Sequence, residues 1–249
     1  AWDLFAKTGR SLGSRLEKAD FSAVCTSKGL ERLKETVPGP ARRTHLIYHG
    51  LVPEEFEQAG LSGCRVLGIG RLVPKKGFDV LIKACEILKS RGVLFKCVLA
   101  GEGPERGRLK TIADKLGLEN EIEFTGEVNG DRWKQIFLET SVMALPSQRT
   151  SSGDVDGLPN VILEAMAFGI PVVAGSDSAA SEALTDGREG FIVPSGDAGT
   201  LADRICRLLG DKSLRREMGD RGRQTVRRKF DIDSNVGELI RLLSGGKQA

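Results

Sequence analysis

From Arg65 onward the chain alternates short, continuously apolar runs with segments of helical period, and no other feature restricts the fold as much. RVLGIG (65–70), FKCVLAG (95–101), IEFTG (122–126), VMALPS (142–147), PVVAG (171–175) and FIVP (191–194) each read as a strand. They lack the strict apolar–polar alternation of a half-solvated sheet, so both faces must be covered. Between them lie GFDVLIKACEILKSRG (77–92), ERGRLKTIADKLG (105–117), DRWKQIFLE (131–139), NVILEAMAFG and the short SEALTDG, all helical in pattern. The first of these sets Val80, Leu81, Ala84, Ile87 and Leu88 on one face. GTLADRICRLLG and two more helices follow the last strand. The pattern predicts an α/β fold, a parallel sheet with helices on both faces. Such sheets bind ligands beyond the carboxyl ends of their strands.

The first 60 residues differ. LGSRLEKADFSAVCTSKGLERLKE suggests helix, strand and helix, HLIYHG (45–50) a further strand, and LVPEEFEQAGLSG a linker. Two strands do not complete a sheet domain, so they either join the main sheet or end a domain that begins elsewhere. RQTVRRKF (223–230) reads as a solvated helix face.

The chain is 40% hydrophobic and 29% charged, which suits a soluble globular protein. A net charge of +3 gives no argument for a nucleic-acid partner. No apolar run is long enough to cross a membrane and no secretory signal pattern opens the sequence. Cys25, Cys64, Cys85, Cys97 and Cys206 are odd in number and dispersed among apolar neighbours, so buried, reduced thiols in a cytoplasmic setting are expected. There is no Cys-x-x-Cys pair and there are only two histidines, His45 and His49, so no cysteine or histidine metal site is predicted, and a carboxylate site, though open, has no clustered acids to support it.

Four stretches could carry chemistry. DVDGLPNVILEAMAFG (154–169) sets Asp156 and Glu164 eight positions apart across a helix start. Gly157 permits a tight backbone and Pro159 suits a first helical position, leaving the Asn160 and Val161 amides outward at the positive end of the helix dipole. That end is an anion site. Glu164 lies about 7 Å further along the axis, placed to accept hydrogen bonds from sugar hydroxyls. The plain alternative makes Asp156 a helix cap and Glu164 a solvated side chain. GRLVPKKGFD (70–79) sets Gly70, Arg71 and Lys76 at a strand end, where a guanidinium fork and an ammonium point charge can converge on a diphosphate; ordinary loop charge is the simpler reading on spacing alone. GEGPERG (101–107) spaces its glycines one residue too wide for a dinucleotide fingerprint, so it reads as a strand-to-helix turn and a dehydrogenase is disfavoured. FTGEVNGD (124–131) offers backbone to a flat base edge, or is a plain loop.

Together, GRLVPKKG, AGEGPERGRL, LGLENEIEFTGEV, ALPS, DGLPNVILEAMAFGIPVV and EALTDGREGFIVPSGD resemble the donor-binding half of family 4 retaining glycosyltransferases, over about residues 15 to 244. The resemblance implies the Rossmann-like donor half of a GT-B fold. Residues 1–56 would be the last part of the acceptor-binding domain, 57–64 a linker, 65–232 the nucleotide-sugar-binding domain and 233–249 a helix returning toward the first domain. The chain is then expected to be a fragment or truncated product.

The resemblance also implies roles. Arg71 and Lys76 match the basic pair on the donor diphosphate. Glu164 matches the second acid of the Glu-x7-Glu motif, on the ribose hydroxyls, and Asp156 stands where the first Glu belongs, near the donor sugar. Gly70, Gly157, Leu158, Pro159, Asn160 and Val161 fall on the phosphate and sugar loops, and Val128 with Asn129 where backbone meets the base. His49 and Val52 depart from the family's hinge segment, which has Asn and Asp there. The reaction implied is transfer of a sugar with retention from a nucleotide diphosphate sugar, the donor being a substrate and not a cofactor, without a metal. The acceptor would be a saccharide or lipid-linked, the setting polysaccharide biosynthesis, in the cytoplasm or at the inner face of a membrane through peripheral contact by the first domain. Charge on the leaving diphosphate would be met by Arg71, Lys76 and helix amides. A non-catalytic nucleotide-sugar-binding module and a sugar-nucleotide epimerase of the same fold are the alternatives.

Overall fold

The computed structural model describes residues 9–39 and 43–244. Its centre is a six-stranded sheet of β3 (Arg65–Ile69), β4 (Lys96–Ala100), β5 (Ile122–Gly126), β6 (Val142–Leu145), β7 (Val172–Gly175) and β8 (Gly190–Val193). Every pairing is parallel, and the spatial order is β5-β4-β3-β6-β7-β8. Sequence order therefore reverses between β3 and β6, which makes the crevice beyond their carboxyl ends the place for a ligand.

Before it lie α1 (Gly9–Glu17), β1 (Ser22–Val24), α2 (Ser27–Thr36) and β2 (Thr44–Leu46). β1 and β2 form a separate two-stranded parallel sheet and do not join the main one. HLIYHG keeps strand geometry only as far as Leu46. Beyond Ile47, whose amide still bonds the Val24 carbonyl, the chain leaves the ladder and Tyr48 packs edge-on to Phe230.

The apolar runs explain the core. Val66, Leu67, Val142, Met143, Val172 and Val173 are completely buried. On one side α3 (Phe78–Ser90) packs against α4 (Arg106–Lys115) and α7 (Ala198–Gly210). α3 buries Val80, Leu81, Ala84 and Leu88 as its period requires, with Ile87 at the margin. On the other side α6 (Asn160–Ala167) packs against α8 (Lys212–Lys229), and α5 (Gly130–Leu138) joins through rings: Phe137 stacks on Phe168 at 5.0 Å and Trp133 tilts over both. Such ring pairs add about 0.5–1.5 kcal/mol each beyond their buried area. The last helix is α9 (Ile232–Leu243); the end of the expected 233–249 segment, residues 245–249, lies outside the described residues.

The stretch read as a linker is packed: Ala59 and Leu61 are buried, and Arg215, itself 4% exposed, donates to the Leu61 carbonyl. Three local expectations are corrected. SEALTDG is not a helix. A 3-10 turn covers Ala179–Glu182, capped by the Ser178 hydroxyl, and Glu189 then accepts the Thr185 amide to close a turn. RQTVRRKF exposes Arg227 and Arg228 but buries Thr225, Val226 and Phe230, because α8 packs against α6 and the edge strand β8. Of the cysteines, all free, Cys85 and Cys97 are buried; Cys25 and Cys206 are half-buried and Cys64 is exposed. The neighbouring Cys97 and then burial push the Cys85 thiol well above its ordinary range, so it stays unreactive.

Two seams fasten the N-terminal segment to the main sheet. The Glu182 carboxylate accepts the Ser27 and Lys28 amides at the start of α2, where a helix leaves its donors free. Burial, and next the same carboxylate, hold the Tyr48 phenol above its usual pKa. At the second seam the chain crosses twice, with the Leu51 amide donating to the Phe230 carbonyl and the Ile232 amide to the Leu51 carbonyl.

Candidate functional site

Three strand ends build one wall. The Gly70 amide donates to the Ala100 carbonyl and the Gly101 amide to the Gly126 carbonyl, so the chain leaves β3, β4 and β5 side by side. This contact requires glycine. Gly101 has φ +135°, and a Cβ there would lie 2.0 Å from the Gly70 carbonyl oxygen. After Gly70 and Arg71 a 3-10 turn, Pro74–Lys76, leads into α3 through Gly77. The Gln148 amide beyond β6 donates to the Lys75 carbonyl and so ties the two sides of the crevice together.

A cavity of about 530 Å³ opens at this crevice. Gly70, Arg71, Val128, Trp133, Val161 and Glu164 are among its lining residues. Arg71 is exposed, and its side chain has no hydrogen-bond or ion-pair partner among the described residues. Glu164 comes from the first turns of α6. Its Oε2 is buried and lacks a hydrogen-bond partner, and burial raises its carboxyl above the ordinary 4.5. The solvated-residue alternative for Glu164 thus does not hold. The folded state binds the proton more tightly than the unfolded one, so the stability contributed by neutral Glu164 is present at low pH and is lost as pH rises through the raised value. Glu164→Gln is therefore expected to raise the melting temperature at pH 7 by about 2–4 °C, the equivalent of roughly 1 kcal/mol in a chain of this size. Thermal unfolding of both proteins at pH 4 and 7 checks it, the gain shrinking at the lower pH.

Asp156 is 9% exposed and does not cap α6; the helix begins at Asn160, with Pro159 as its N-cap rather than its first helical residue and no side-chain cap bond. Its Oδ2 accepts from the Ser147 hydroxyl at 2.8 Å and lies 2.9 Å from Lys76 Nζ. Its Oδ1 lies 3.8 Å from Lys75 Nζ, which pairs with Asp154 at 3.2 Å. Lys76 passes along the strand end, with Cε 3.5 Å from where a Cβ on Gly70 would stand.

Asp156 and Gly157 also line a second cavity of about 860 Å³, which reaches His49, Tyr48, α2 and α9. Asn160 Oδ1 lies 3.1 Å from His49 Nδ1 across this side. The sequence-predicted residues thus fall in two neighbouring groups: Gly70, Arg71, Val128, Val161 and Glu164 line the smaller cavity, Asp156 and Gly157 the larger, with Lys76 paired to Asp156 and Asn160 meeting His49 of the larger cavity's lining. Three stand apart. Leu158 and Pro159 are buried, Leu158 as part of the apolar core, and Asn129 is an exposed residue before α5 that lines neither cavity. Ser147, Lys75 and Asp154 were not anticipated, nor was Trp133 on the cavity wall. Ser147 follows β6 at the strand-order reversal, which alone marks it as a site position. Asp154 is two residues from Asp156, the spacing that sends side chains to one side of an extended chain. Among the described residues no group of three His, Cys, Asp or Glu side chains is assembled as a metal site, and no helix is long and apolar enough to cross a membrane.

Residues 58–225 match the family model described as glycosyl transferases group 1. The amylovoran biosynthesis glycosyltransferase AmsK of Erwinia amylovora is 34% identical over 173 residues, covering 68% of this chain and 42% of that protein. A GDP-mannose-dependent alpha-(1-6)-phosphatidylinositol monomannoside mannosyltransferase of Mycobacterium tuberculosis is 32% identical over 185 residues, covering 74% of this chain and 48% of that protein. The chain thus spans less than half the length of either relative. Among solved structures, Anabaena HepE in complex with UDP and glucose superposes with a TM-score of 0.85 at 22% identity, over 98% of this chain and 69% of that one. The C-terminal domain of a group 1 glycosyl transferase from Francisella tularensis, LpcC, gives 0.63 at 23% identity, over 74% of this chain and all of that domain. At these identities the two superpositions speak to the fold, the α/β architecture of GT-B glycosyltransferase domains.

Proposed function

The chain belongs to the glycosyl transferases group 1 family, and we propose on that premise that it carries the donor half of a retaining glycosyltransferase. The donor would be a nucleotide diphosphate sugar and the acceptor a saccharide or lipid-linked saccharide. The observation that supports this best is the shared cavity at the strand-order reversal: Arg71, without a partner among the described residues, together with Val161 at the α6 start and Glu164, whose buried Oε2 lacks a hydrogen-bond partner.

In this reading the diphosphate lies between Arg71 and Lys76, with the Asn160 and Val161 amides adding partial positive charge. Glu164 accepts hydrogen bonds from the ribose hydroxyls, which supply the donors its Oε2 lacks. The backbone around Val128 meets the base. As the glycosidic bond breaks, negative charge grows on the leaving phosphate and is held by these fixed cations and amides. The leaving phosphate takes the acceptor proton, so Asp156 and Glu164 are not assigned the acid and nucleophile work of a hydrolase. The division near residues 56–65 belongs to the same reading: the segment before it ends the acceptor-binding domain, and transfer requires that domain in full.

Isothermal titration of this chain with UDP, GDP and ADP tests the donor site. Saturable binding of at least one, with affinity falling in Glu164→Gln, is the expected result. No heat with any of the three sinks the reading.

A further inference from the structure

The carboxylate of Asp156 is already engaged. Oδ2 takes the Ser147 hydroxyl and the Lys76 ammonium, and Oδ1 faces Lys75. Lys75 is paired in turn with Asp154. Two lysines and two aspartates at the ends of β3 and β6 therefore cancel in charge, and Arg71 is left as the cation without a partner among the described residues at the neighbouring cavity. Asp156 and Lys76 are both largely shielded, at 9% and 14% side-chain exposure, so water screens this pair little.

We propose that Asp156 is the resident counter-anion of Lys76: it positions the lysine in the empty site and competes with the nucleotide diphosphate for it. The proposal rests on the donor-site reading and assigns Asp156 a different task from holding a sugar hydroxyl. The two anions share one cation. Without nucleotide, Lys76 rests on Asp156; with nucleotide, the ammonium divides its three N–H donors between the carboxylate and the phosphate. The aspartate's short side chain suits this work, because it keeps the carboxylate back against Ser147 at the end of β6. For an enzyme that must release a nucleoside diphosphate after every transfer, a built-in rival for the phosphate cation limits how tightly the product is kept.

The two tasks predict opposite signs. A carboxylate that holds substrate weakens binding when lost; one that competes with substrate strengthens it. Asp156→Asn keeps size and the hydrogen bond to Ser147 but removes the charge. Titration with UDP, GDP and ADP should then show about tenfold tighter binding of whichever diphosphate the parent binds, with steeper salt dependence. Asp156→Ser should move the same way, and it provides a second, smaller side chain if the amide disturbs folding. Asp156→Glu, which restores the charge, should stay within about threefold of the parent, and the corresponding nucleoside, lacking phosphate, should not distinguish the variants. Unchanged or weaker diphosphate binding in folded Asp156→Asn or Asp156→Ser overturns the proposal while leaving the donor site standing. Absence of binding by parent and variants alike removes the donor site itself and the proposal with it.

Discussion

Lys76→Ala should lower nucleoside diphosphate affinity by about 100-fold or more, and Arg71→Ala by about tenfold, in titrations of the folded proteins. A hydrogen bond to a charged group contributes about 1.5–3 kcal/mol, and 1.4 kcal/mol is tenfold in affinity. Arg71 is exposed and has no partner among the described residues, so its loss should remove one such contact. Lys76 is different, because its removal leaves Asp156 beside the phosphate position without its 2.9 Å partner. The buried carboxylate then repels the ligand as well. The double variant Lys76→Ala, Asp156→Asn should recover part of the loss, since deletions within one charge network do not add. Equal losses for Arg71→Ala and Lys76→Ala, or no recovery in the double variant, would contradict this account of the site.

The second large effect is on the frame that carries Lys76. Gly77 has φ +69° and both ends the 3-10 turn and precedes α3, where its carbonyl accepts the Val80 and Leu81 amides. A Cβ at this position would stand 2.0 Å from the Pro146 carbonyl oxygen. Gly77→Ala must therefore tolerate a left-handed residue, at about 1–2 kcal/mol, and push apart the two strand ends of the crevice, at about 1–3 kcal/mol more. A fall in melting temperature of roughly 10 °C is expected for a chain of this length. Because Pro146 and Ser147 sit on the far side of that contact, surviving folded protein should also bind nucleotide less well. Gly107→Ala, where a Cβ meets no atom within 4 Å, should melt within about 2 °C of the parent and serves as the control.

The sheet was legible because buried parallel strands leave a simple mark. Val66, Leu67, Val98, Leu99, Val172 and Val173 sit in runs with no polar alternation, and two-sided burial produces such runs. The positions of Arg71 and Glu164 at the crevice, and of Lys76 beside it, were legible because each follows a strand or helix start at the carboxyl ends of the sheet. What escaped reading depends on partners distant in sequence. Nothing in VDG says that Asp156 will meet a lysine eighty positions earlier, and nothing local sends the packed Ala59 and Leu61 into the core. SEALTDG has the composition of a short helix, but the Ser178 cap and the Glu189 carboxylate hold its backbone donors in turns.

The double crossing at Leu51 and Phe230–Ile232 has a mechanical consequence. Two parallel lengths of backbone joined by a pair of reciprocal bonds behave like a strap hinge: they fold easily across the strap and resist shearing along it. Any swing of the N-terminal segment over the crevice is steered through one arc, and that arc carries His49, two residues from Leu51, toward or away from Asn160.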